Sequence, residues 1–99
     1  MSISCIKTVT GEDLIGEVIV REEEVDIIDP CVVVVVPTSQ SQYSVGLAPF
    51  LPFANSKKFS FRKEHVIMFY DPADGLRNEY NRITGKGIVV PTNKIELVK

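Results

Sequence analysis

Val9-Thr10-Gly11-Glu12-Asp13-Leu14-Ile15-Gly16-Glu17-Val18-Ile19-Val20 reads as the end of one strand, a tight turn, and a second strand that bends. Gly11 can take the positive φ that a tight turn needs, and Glu12 and Asp13 keep that turn in water. From Leu14 onward the period of two puts Leu14, Gly16, Val18 and Val20 on one face. Ile15, Glu17, Ile19 and Arg21 fall on the other. A glycine inside such a run weakens the strand, and it marks a sharp bend or a close backbone approach. The expectation is a small, strongly curved β-sheet.

The flanking segments extend the same reading. Residues 1–8 alternate loosely and suit a first strand, and Glu22-Glu23-Glu24 suits a solvated hairpin tip. Val25–Ile28 resumes the β pattern, and Asp29-Pro30 marks a bend or bulge, because proline cannot donate to a ladder. Five valines follow Cys31. They cannot alternate in and out of water, so a strand buried on both faces is expected there. Residues 43–54 are apolar but punctuated by Pro49 and Pro52, as in an edge strand. Phe59–Tyr70 reads as one more strand.

A helix is expected next, with Asp71 as N-cap, Pro72 at the first helical position and Gly85 as the stop. Leu76, Tyr80 and Ile83 form its apolar stripe. Gly87–Pro91 and Lys94–Val98 read as a short strand and a closing strand.

Composition sets the class. The chain has 99 residues, 44% hydrophobic and 24% charged, which suits a single globular domain over residues 1–99. The longest apolar run, Cys31–Val36, is far too short to span a bilayer, and charges interrupt residues 1–20 where a signal peptide would be apolar. A cytoplasmic location is therefore expected, with Cys5 and Cys31 reduced and buried.

Charge is uneven along the chain. Residues 1–49 carry Lys7 and Arg21 against eight acids, while residues 50–99 carry nine bases against five acids, for a net charge of −2. One cationic patch facing a polyanion fits this pattern, and so does charge pairing within or between copies. A sequence pI near 5.3 argues against sequence-blind DNA binding.

The candidate binding residues are Lys57, Lys58, Arg62 and Lys63 for phosphate, with Arg62 also able to stack on a base. His65 is a further candidate, and Tyr43, Phe50 and Phe53 are candidate stacking platforms. For each, the competing reading is ordinary: a solvated strand edge, a hydrogen-bonded histidine, an aromatic in a core or interface. Asp26 and Asp29 are candidate cation or acid-pair residues, though carboxylates near a bend more often cap turns. No cysteine or histidine cluster points to zinc, Gly85-Lys86-Gly87 lacks the context of a phosphate loop, and no nucleophile has an activating neighbour. A non-enzyme without cofactor is expected.

Two segments resemble the signatures of the Sm-like family of Sm, LSm and Hfq proteins. Gly11 and Gly16 with Leu14 between them and Val18 beyond resemble the first, and Phe61-Arg62-Lys63-Glu64-His65-Val66-Ile67-Met68-Phe69 resembles the second. Lys63 stands where that signature has glycine. The resemblance covers about residues 7–70, with a helix and extension over 71–99, as in divergent, phage-encoded members. It implies a five-stranded, strongly bent barrel with one short helix near the C-terminus and a C-terminal strand extension. It further implies a homo-oligomeric ring joined through sheet edges and binding single-stranded RNA. A structural or adaptor oligomer contacting protein is the alternative.

Overall fold

The computed structural model describes residues 2–38 and 42–85, and the two strands expected within residues 87–98 lie outside them. Six strands and one helix follow in order: β1 (Ser2–Thr8), β2 (Asp13–Val20), β3 (Glu24–Pro37), β4 (Tyr43–Pro49), β5 (Lys58–Arg62), β6 (Val66–Tyr70) and α1 (Asp74–Thr84). One turn of 3-10 helix, Lys63–His65, separates β5 from β6. The sheet is antiparallel throughout, in the order β4-β3-β2-β1-β6, with β5 also paired to β3. It does not close into a barrel. The chain passes from β5 on the β3 edge to β6 on the β1 edge through the 3-10 turn, not through a ladder.

The bend sits where the glycine pattern places it. Gly11 turns the chain at φ 92° and donates its N–H to the Thr8 carbonyl at 2.9 Å. At Gly16 the β2–β3 register slips between Ile15 and Glu17. A Cβ there would lie 2.8 Å from both the Ile27 side chain and the Ile28 carbonyl oxygen. Only a residue without a side chain allows that approach. Across the ladder Asp29 has φ 53°, and Pro30 follows it, so β3 changes direction opposite the same glycine. Its open edge changes partner there too: Glu24–Ile28 pair with β5, and Cys31–Pro37 pair with β4.

The curl produces two apolar clusters. Ile6, Leu14 and Ile27 are fully buried on the concave side, with Phe59, Phe61, Phe50 and Val66 packed around them. Cys5, Ile15, Cys31 and Tyr80 form the second cluster, which α1 covers. Consecutive residues Leu14 and Ile15 thus both reach a core, one on each side of the sheet. The Tyr80 hydroxyl donates to the Asp29 carbonyl at 2.8 Å and lies 3.3 Å from that of Ile28, which anchors the helix on the bend.

Several expectations are corrected. The valine run is not buried on both faces: Val34, Val35 and Val36 are 37%, 56% and 51% exposed. The reason is the reach of β2, whose last partner on β3 is Val32. Beyond it, among the described residues, β3 and β4 continue as a two-stranded ribbon. Phe59–Tyr70 is not one strand, because the 3-10 turn splits it. Asp71 is not the N-cap; Ala73 holds that position and Pro72 precedes the helix. The Asp71 carboxylate instead accepts from the Arg77 guanidinium at 2.8 Å. Gly85 does end α1, in the left-handed conformation with φ 74°.

Candidate functional site

Strand β5 presents the basic residues. Phe59 and Phe61 turn inward, which leaves Lys58, Ser60 and Arg62 on the outer face, with Lys57 just before the strand and Lys63 just after it. The same face of β3 carries acids opposite them, Glu24 across from Arg62 and Asp26 across from Ser60. Asp26 is only 2% exposed. Its carboxylate accepts from the Arg21 guanidinium at 2.9 Å and from the Ser60 hydroxyl at 2.6 Å, and the Lys58 ammonium stands 3.7 Å away. The Arg21 and Ser60 donors hold the Asp26 carboxyl below its usual range, and Arg21 is raised in turn. The saturated carboxylate clamps β5 and the hairpin tip onto β3.

At the other end of β5, Arg62, Lys63 and Glu64 face Glu22, Glu23 and Glu24 across a shallow recess. The Lys63 N–H donates to the Glu23 carbonyl at 3.0 Å, its ammonium donates to the Glu22 carbonyl at 3.3 Å, and Arg62 lies 3.5 Å from Glu64. Acids outnumber bases in this recess, so its field does not favour a phosphate. His65 is exposed, and its carbonyl accepts from the Val9 N–H at 3.0 Å.

The structure brings Lys57, Lys58, Arg62, Lys63 and His65 onto one strand and its following turn. It does not bring Tyr43 to them. Tyr43 pairs with Pro37 and Arg62 pairs with Glu24, at opposite ends of the 14-residue β3. Phe50 packs against Phe59 and Phe61 in the concave core, while Phe53 is 98% exposed. Cys5 and Cys31 are buried and free, one on β1 and one on β3 with β2 between them. Two strand spacings, about 10 Å, exceed the reach of a disulfide. Burial pushes both thiols up, away from the reactive thiolate. Among the described residues no group of three or more His, Cys, Asp or Glu side chains is placed to hold a metal ion.

Beyond the candidates, the exposed apolar edges matter. Ile67, Met68, Phe69 and Tyr70 on β6 are all exposed, as is Val45 on β4 beside the candidate Tyr43. Among the described residues each of these strands has a ladder on one side only. Pro49 and Pro52 mark residues 43–54 as an edge in the sequence, whereas nothing local marks β6 as one.

Comparison with known protein families finds no matching family model, and comparison with curated proteins finds no match. The fold itself defines the class: a mainly β protein, whose described residues form one curled six-stranded antiparallel sheet with a helix packed on it. Among the described residues no helix is long and apolar enough to cross a membrane.

Proposed function

We propose that this chain is a non-catalytic, self-assembling β-module of Sm-like type, in which copies join through their open sheet edges to make a structural or adaptor ring. The observation that carries this reading is the pair of unlike, uncharged edges, β4 and β6, at opposite ends of the sheet order. An exposed apolar edge is a template for another strand, and natural proteins blunt it with charge or cover it. Here neither strand carries a charged residue. Pairing two different edges is a heterologous contact, which generates a closed ring when the rotation closes. The curled sheet and the bend at Gly16 support the Sm-like reading, with the resemblance over residues 7–70 behind it. Sedimentation velocity tests the assembly. Wild-type protein sediments as an oligomer, and Val45→Lys or Phe69→Lys shifts it to monomer; a wild-type monomer at every concentration overturns it.

Against the acidic field of the Glu22–Glu24 recess, one observation favours RNA as the ligand of such a ring: Lys58 and Arg62 share the outer face of β5, flanked by Lys57 and Lys63. Fluorescence-anisotropy titration with oligo-U and oligo-A at two salt concentrations decides it. Salt-sensitive binding that Arg62→Ala/Lys63→Ala abolishes supports this second reading, and its absence leaves the adaptor.

A further inference from the structure

We propose that the turn Leu51-Pro52-Phe53-Ala54 is an insertion tip for an anionic lipid surface. Residues 30–56 contain no charged side chain, and Lys57 and Lys58 follow at once. Within that stretch the turn closes between β4 and β5, with the Ala54 N–H donating to the Leu51 carbonyl at 3.1 Å. Phe53, at its tip, is 98% exposed, and Leu51 beside it is 47% exposed. Among the described residues no surface covers this ring.

The backbone of the turn is suited to leaving water. An unpaired N–H placed in a hydrocarbon environment is costly, so a segment that enters one needs its donors used or missing. Pro49 and Pro52 have no N–H. Phe50 donates to the Pro30 carbonyl at 3.2 Å, and Ala54 is bonded within the turn. Behind the turn the Ser56 hydroxyl accepts from the Lys58 N–H at 3.1 Å. Among the described residues, the Leu51 and Phe53 N–H groups are the donors of this segment left, with its free carbonyls, to headgroups and water, while the aromatic ring and the leucine side chain enter the apolar zone.

Charge gives the tip an orientation. Lys57 and Lys58 stand at the end of β5 nearest the turn, while Glu22–Glu24 face Arg62 at its far end. Lys58 also attends the buried Asp26 carboxylate, yet its side chain is 58% exposed. Asp29 lies beside these lysines, its N–H donating to the Lys57 carbonyl at 2.7 Å, but the Glu22–Glu24 cluster is held at the far end. An apolar tip with two lysines at its base is complementary to the interfacial zone of an anionic bilayer. One such tip binds weakly. Several tips on one face of an oligomer bind by avidity, so the affinity, though not the site, rests on the assembly proposed above.

The chain has no tryptophan, so Phe53→Trp provides a single fluorescent reporter at the tip. Titration of the full-length Phe53→Trp protein with phosphatidylcholine vesicles containing phosphatidylserine is expected to shift its emission to the blue, with quenching by brominated lipid. Cosedimentation of wild-type protein with the same vesicles is expected to fall about tenfold or more on Phe53→Ser, and to fall with added salt. Because the ring is 98% exposed, Phe53→Ser is expected to keep the wild-type melting temperature. No blue shift at any lipid concentration overturns the proposal, as does equal binding to vesicles of phosphatidylcholine alone. Light scattering on the same samples reports the assembly separately, so an oligomer that ignores vesicles removes this inference and leaves the ring intact.

Discussion

Three residues hold the curl, each by a different force. Gly16 acts by absence. Its missing Cβ lets β2 approach the Ile28 carbonyl and the Ile27 side chain, so Gly16→Ala is expected to destabilise the fold by about 1–3 kcal/mol. A shift of the urea midpoint measures this. Tyr80 acts through its hydroxyl, since Tyr80→Phe fills the same space but leaves the Asp29 carbonyl without that donor. A loss of about 1–2 kcal/mol is expected from thermal unfolding. Burial raises the Tyr80 phenol well above its ordinary range, so the donor stays protonated at any working pH.

Asp26 acts through charge. Its folded-state pKa lies below the usual 3.8, so the stability it contributes is fully present above that value. That contribution is lost as pH falls through the usual value toward the depressed one. Wild type is therefore expected to exceed Asp26→Asn in stability at neutral pH, with the gap shrinking below about pH 4. Urea unfolding of both proteins across that range checks the sign.

Among the elements, β3 decides most. Its N-terminal half lies between β2 and β5, and its C-terminal half past Val32 is paired, among the described residues, with β4 alone. A lone two-stranded ribbon is marginal in water. Native-state hydrogen exchange on a variant kept monomeric is therefore expected to show the amides of Val34, Val35 and Val36 opening well before those of residues 25–27. Val35→Lys, on the exposed part of the ribbon, is expected to change monomer stability by no more than about 0.5 kcal/mol. Equal protection along β3 in the monomer would show that the ribbon has support of its own.

For the whole molecule, the apolar edges predict how assembly responds to salt. β4 and β6 carry no charge, so raising ionic strength has no attraction there to screen. The oligomer is expected to persist or tighten at high salt, whereas an assembly held by the acidic first half against the basic second half would dissociate. Sedimentation at low and high salt separates the two. The charge asymmetry visible along the chain is already used within one subunit, where Arg21 and Lys58 attend Asp26 and the Glu22–Glu24 tip faces Arg62 and Lys63.

Local chemistry made much of this legible in the residues alone. The turn at Gly11, the bend at Gly16, the break at Asp29-Pro30 and the stop at Gly85 each follow from the backbone freedom or restriction of one residue type. The β-rich class and the single late helix follow from periodicity. The basic residues of β5 were also readable, since adjacency along a strand needs no tertiary information. Pairing decided the rest. Valines 34–36 look like a core strand until β2 is seen to stop short of them, and the candidates Tyr43 and Arg62 fall at opposite ends of β3. Asp71 looks like a cap until Arg77 takes its carboxylate. A side chain's burial and partners depend on which distant strand lies beside it, and no local pattern carries that register.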